Sequence, residues 1–262
     1  MQDAGVAGRI RDTARMIDPI EQFEIHKLFT IGHIGNQEIA FTNSSAYMFG
    51  SVALISLLMI GAGRRLVPGR VQSVAEISYE FVANTIRSTA GKEGMKFFPL
   101  VFSLFMFVTI SNIVGVIPYN FTVASHLIVT ATLAVLVFLT VLIYGFYKNG
   151  LRFLKLFVPS GIPVAILPLV VFIEVFSFFL RPISHSVRLF ANMLAGHIAL
   201  AVFASFIPLL AGIGIAGYFG AVLPLGMVIA LTALELLVAF LQAYVFAILT
   251  CIYLNDAIHP GH

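Results

Sequence analysis

Between Val164 and Ile207, and again between Tyr218 and Leu254, the chain offers almost no place to stop an apolar helix. Only Pro168 and Pro182 interrupt the first stretch, and only Pro224 the second. At 1.5 Å per residue these stretches are about 66 and 55 Å long. A bilayer's hydrocarbon core is about 30 Å thick, so helices of this length must tilt strongly, bend, or leave the bilayer. They cannot belong to a water-soluble domain either. Hydrophobic residues make up 60% of the chain and charged residues only 10%, too few to cover a soluble surface. The pattern predicts a tilted antiparallel hairpin whose turn lies near "PLLAGIGIAG" (208–217).

Three shorter apolar runs precede it. "AYMFGSVALISLLMIGAG" (46–63), "FFPLVFSLFMFVTISNIVGVIP" (97–118) and "LIVTATLAVLVFLTVLIYGFY" (127–147) each have the length of one crossing. Between the first two lies "RVQSVAEISYEFVANTIRSTAGKEG" (70–94), where Val71, Val74, Ile77, Phe81 and Ile86 recur at helical spacing among charges. That spacing predicts a helix lying in the membrane interface. The expected fold is therefore an all-α membrane protein of about five transmembrane helices plus one interfacial amphipathic helix. Residues 1–45 read as an extramembrane or interfacial segment, and 46–262 as a single transmembrane domain.

Charge sets the orientation. Arg64, Arg65, Arg70, Arg87, Lys92 and Lys96 fall in one loop region, and Lys148, Arg152 and Lys155 in another. The opposite loops, 118–126 and 208–217, carry neither Lys nor Arg. The positive-inside rule places the two basic loops in the cytoplasm, the N-terminus outside and the C-terminus inside. The net charge of +3 is gathered at helix ends and gives no reason to expect nucleic acid. A single cysteine, Cys251, excludes an internal disulfide and a CxxC metal site, and no cofactor or metal is expected. No cleavable signal peptide is evident.

The chemistry is concentrated in the hairpin. Glu174, Arg188, His197 and Glu235 are ionisable residues at membrane depth, where such groups are expensive and mark function. Arg181 lies nearer the cytoplasmic end, beside Pro182, and is expected to snorkel to the interface. Arg188 sits mid-segment with no acid within one helical turn. If Arg188 and Gln242 lie level, His197 and Glu235 meet at a common depth further outward. They form either a proton-exchanging pair or a structural hydrogen bond. At 100° per residue, Glu174, Arg181, Ser184, Arg188 and Asn192 fall within about 40° of one direction, with His197 opposite. Arg188 cannot release its proton. It can act as a fixed positive charge that forces a passing carboxylate to deprotonate, and that carboxylate should come from another subunit. Polar residues outward of it (His197, Glu235) and inward of it (Glu174, Ser184, His185) suggest two separate wet routes that end near Arg188. His185 either lines the inner route or is a hydrogen-bonded interface histidine. Asn112, Asn120 and His126 either line an outer vestibule or, as Asn112 can, cap a helix or bind a neighbouring backbone.

The stretches "RPISHSVRLFANMLAGH", "LELLVAFLQAYVFAILTCIYL" and "SNIVGVIPYNFT" resemble the a subunit of F-type ATP synthases, and the resemblance runs from about Ala46 to Leu254. Much of that family carries an acid at the position of His197 and a histidine at that of Glu235. Here the two are exchanged, as in alphaproteobacterial and mitochondrial members. The resemblance implies a proton-translocating stator subunit with no catalysis of its own. Its partners would be a rotating c-ring and peripheral-stalk b-type subunits in a bacterial plasma membrane or, alternatively, a mitochondrial inner membrane. It implies that Arg188 faces the ring carboxylate, with Asn192 and Gln242 beside it. Glu174 would belong to the cytoplasmic half-channel and His197 with Glu235 to the outer one. An ion-coupled secondary transporter would also hold charges mid-membrane, but the sequence has no paired halves with broken helices. A non-transporting scaffold leaves Arg188 without a purpose.

Overall fold

The computed structural model describes residues 25–34, 37–62, 69–117, 120–158, 163, 166–212 and 214–259. Two antiparallel strands come first, β1 (Lys27–Ile34) and β2 (Gln37–Thr42). Six helices follow: α1 (Asn43–Gly61), α2 (Arg70–Gly94), α3 (Phe98–Val116), α4 (Leu127–Asn149), α5 (Leu167–Ala211) and α6 (Ile215–Ile258). Short 3-10 turns occupy Met95–Phe97, Val123–Ser125 and Gly150–Phe157. Among the described residues, 5 helical spans are long and apolar enough to cross a membrane, one of them running continuously through α2 and α3.

The strand pair was not expected from the sequence. It adds a small hairpin to an otherwise helical chain, and Thr42 at its end caps α1 by accepting a hydrogen bond from the Ser45 amide at 3.4 Å. Arg64, Arg65 and the remainder of the 63–68 link lie outside the described residues, as do residues 1–24. Pro168 does not bend α5. It stands in the helix's first turn, where a missing N–H costs nothing. Pro182, Pro208 and Pro224 lie inside the long helices.

α6 is the element around which the others gather, touching α5, α3, α2 and α4. Its sequence explains why. Ala239, Ala243 and Ala247 recur every four residues, so one face of the helix carries only methyl groups, and all three are buried. Without bulk there, α3 comes close enough for Asn112 Nδ2 to donate to the Ala239 carbonyl at 3.3 Å. The rest of the core is aliphatic and aromatic: Val82 and Ile86 of α2, Val101 and Phe105 of α3, Val137 and Val141 of α4, Leu189 and Met193 of α5, and Phe246 of α6. Facing outward are large apolar side chains such as Ile60, Ile128, Phe172 and Phe219, as suits a protein whose solvent is lipid.

α2 is amphipathic, with Ala75, Val82, Ala83, Ile86 and Ala90 buried and Val71, Val74 and Ile77 exposed. Gly91, at φ +66°, kinks its last turn, a conformation glycine takes at no steric cost. Beyond the kink Glu93 pairs with Lys148 at the end of α4. α5 ends with the Gly212 amide donating to the Pro208 carbonyl at 3.1 Å, and Gly214 takes φ +105° before α6 begins.

Candidate functional site within the hairpin

α5 and α6 run antiparallel, and their polar side chains meet in successive layers. Nearest the turn is the pair expected from depth alone: His197 Nε2 lies 3.5 Å from Glu235 Oε1, both side chains buried. Neither carboxyl oxygen has a hydrogen-bond partner among the described residues. A buried carboxylate is costly unless a cation or donor meets it, and the imidazole is the group in position to do so. Two glycines make the arrangement possible. A Cβ on Gly196 would stand 2.8 Å from Glu235 Oε1, and one on Gly115 2.8 Å from Thr122 Cγ2.

Thr122 was not singled out in the sequence. Its hydroxyl lies 2.8 Å from His197 Nε2 and donates weakly to the Gly115 carbonyl at 3.4 Å. The hydroxyl therefore presents either a proton or a lone pair to the imidazole, depending on which the ring needs. The signal was present only as part of "VIPYNFT", since nothing in the local pattern says that this loop packs on α5.

One layer further in, Asn192 Nδ2 donates to Gln242 Oε1 at 3.4 Å. This places Gln242 opposite Asn192 rather than level with Arg188, a shift of one helical turn from the sequence expectation. The shift arises because 100° per residue fixes angle better than it fixes the vertical offset between two helices. Arg188 and Ser184 are exposed on the outside of the hairpin, with Asn192 on the same strip. Arg188 makes no hydrogen bond or ion pair among the described residues, although the side chains of His185 and Tyr253 are close enough to feel its charge. Glu174 is half-buried two turns before Arg181 and likewise has no ion pair there.

His185 is buried against Phe246, the ring centroids 3.9 Å apart, and its Nε2 has no partner among the described residues. It faces a crevice lined by Phe138, Phe178, Arg181 and Tyr253. So the structure does not give it the hydrogen bond of an interface histidine, and it lies inside the hairpin rather than on the exposed strip of Ser184 and Arg188. Arg181 Nη1 donates to Asp256 Oδ2 at 2.7 Å, beyond the apolar run of α6, and the guanidinium packs over the rings of Phe178 and Tyr253. Asp256 escaped the sequence reading because it follows the last residue of the apolar run.

Beside these layers, Asn112 is buried and spends its amide on Ala239, with Oδ1 unpartnered among the described residues. Asn120 donates to the Val114 carbonyl at 3.2 Å and accepts from the Tyr47 hydroxyl at 3.4 Å, tying α1 to the loop. His126 stacks on Phe121 at 4.7 Å, and burial holds its pKa below the usual histidine value.

Five spans, a buried imidazole–carboxyl pair and an arginine left open at membrane depth define a helical membrane protein of the ion-handling kind. Comparison with known proteins makes this specific. The model of the ATP synthase A chain family matches residues 45–255, and the chain belongs to that family. An ATP synthase subunit a from Rhodopseudomonas palustris (strain BisB18) is 85% identical over 249 residues, which is 94% of this chain and 100% of the relative. One from Nitrobacter winogradskyi is 79% identical over 247 residues, again 94% of this chain and 100% of the relative. The family's members are the proton-translocating subunits of the synthase membrane sector.

Proposed function

We propose that this chain works as the stator of the membrane sector in a bacterial plasma membrane, leading protons to and from carboxylates on a ring of c-type subunits. In this reading it catalyses no reaction alone, and b-type stalk subunits hold it still. His197 and Glu235 receive protons from the outer side. Asn192 and Gln242 form the polar layer between that pair and Arg188. Glu174, Ser184 and His185 serve the cytoplasmic half-channel. The observation that carries the proposal is Arg188, a permanent charge facing outward from a membrane helix without an ion-pair partner among the described residues. An uncompensated guanidinium at that depth is unfavourable by several kcal/mol on insertion scales, of order 3. A carboxylate arriving from a neighbouring subunit removes that cost, and the arginine in turn favours the carboxylate's ionised form. A protonated site therefore cannot pass the arginine without first losing its proton, which keeps the two half-channels separate.

The test is Arg188→Ala in vesicles carrying the intact complex. ATP synthesis and ATP-driven pumping should be lost while passive proton leak persists or rises, because nothing then stops a protonated site from crossing. Arg188→Lys should also be severely impaired in pumping, since a point charge on a flexible stem does not reproduce a planar guanidinium and loses charge when desolvated. Normal ATP synthesis by the Ala variant would end the proposal.

A further inference from the structure

The segment after α4 has three faces of different chemistry. It is a 3-10 helix, Gly150–Phe157, and in that geometry residues three apart eclipse one another. Phe153 and Leu156 form the first face. Phe153 is fully buried, its ring 5.1 Å from Phe146 and 6.2 Å from Phe178. It fills a notch at Gly145, where a Cβ would collide with it at 2.4 Å. This anchors the segment. Leu151 and Leu154 form the second face, 82% and 46% exposed. Arg152 and Lys155 form the third, both exposed and without a hydrogen bond or ion pair among the described residues. The segment directly continues a membrane-spanning helix, reversing at Gly150 (φ +53°) and tied down by Asn149 Nδ2 donating to the Ala257 carbonyl at 2.7 Å.

From this geometry we infer that residues 150–157 form an anionic-phospholipid site on the cytoplasmic leaflet. Leu151 and Leu154 enter the upper acyl layer, and Arg152 and Lys155 meet the headgroup phosphates of lipids such as phosphatidylglycerol. Continuity with α4 fixes the segment at headgroup depth. A leucine almost wholly exposed beside unpaired cations suits a surface that is oily below and negatively charged above. A water-facing loop would gain nothing from Leu151, and a protein-facing one would leave the two cations to be desolvated. The inference does not depend on the proton path, because none of these residues belongs to it.

The experiment places a photoreactive amino acid at position 151 in the intact complex, reconstituted in vesicles of equal phosphatidylcholine and phosphatidylglycerol. Irradiation should give lipid adducts that favour phosphatidylglycerol by roughly fivefold or more, the scale expected from even one basic residue at a charged surface. Arg152→Gln with Lys155→Gln should bring the ratio close to parity while lipid adducts continue to form. Two results would overturn the inference: adducts to another subunit in place of lipid, which would make this face a protein contact, or a lipid preference that the double variant leaves unchanged.

Discussion

Gly196→Ala is the substitution in which fold and function should separate most cleanly. The added Cβ would lie 2.8 Å from Glu235 Oε1 and 3.3 Å from Cδ. Ordinary van der Waals contact begins about 0.6 Å further out, so the carboxyl must retreat by roughly that much. Its distance to His197 Nε2, now 3.5 Å, then becomes about 4 Å if it retreats along that line. Displacements approaching 1 Å at a reacting centre can cost up to about a hundredfold, so a fall in proton flux of about tenfold is expected. The helix itself does not suffer, because replacing an interior glycine by alanine stabilises it by about 0.5–1 kcal/mol. Assembly, measured as complex recovered from membranes, should match the wild type. Passive proton flux, measured in vesicles stripped of the catalytic head under a potassium diffusion potential, should drop toward the level of Glu235→Gln. Shortening the acid in the double variant Gly196→Ala, Glu235→Asp should recover nothing, because it relieves the clash only by drawing the carboxyl further from His197. Undiminished flux in the single variant would show that the close approach of Gly196 to Glu235 has no bearing on transport.

Other outcomes follow from the same geometry. Thr122→Val removes the hydroxyl at nearly constant volume and takes one hydrogen bond from His197 Nε2, costing about 0.5–1.5 kcal/mol. Flux should fall with it and return with Thr122→Ser, and equal flux in all three would make the hydroxyl irrelevant. Single cysteines in loops 64–96 and 148–155, with Cys251 replaced, should react with impermeant reagents only from the cytoplasmic side; labelling solely from outside would reverse the orientation. Because His126 titrates below the usual histidine value, the folded chain resists protonation where the unfolded chain accepts it. Its contribution to stability is therefore full above the ordinary histidine pKa and declines as pH falls through it. His126→Phe should flatten the acid side of a melting-temperature profile, and an unchanged profile would refute the assignment.

How far the sequence could be read depended on the range of the interactions involved. Helix existence came from uninterrupted apolar runs, and α5 and α6 were bounded within a few residues because a missing stop signal is a local property. The His197–Glu235 pair was legible because an antiparallel hairpin turns sequence distance into depth by simple arithmetic. The same arithmetic set Gln242 one turn off and passed over Asp256, since axial offset between helices is decided by side-chain packing such as the alanine strip of α6. Glycines 115 and 196 could not be interpreted beforehand. Each is explained by a side chain that arrives from elsewhere in the chain, Thr122 in one case and Glu235 in the other. The strand pair at 27–42 was hidden by Gly32 and His33, which blur the alternation of β1, and by register irregularities between its strands.

The Arg181–Asp256 contact has a mechanical consequence. It joins α5 to α6 at the end opposite the turn, while the chain joins them at the turn by Gly212. The hairpin is thus fastened at both ends as well as along its packed seam. Arg188 lies seven residues from the ionic fastening and 24 from the covalent one, distances of about 10 and 36 Å along the axis. A sideways force at Arg188 is therefore taken up at the near end, by a single ion pair backed by two aromatic rings and by the side chains packed beside it. Cutting the pair would leave that end of the seam to packing alone, next to the point where the load is applied.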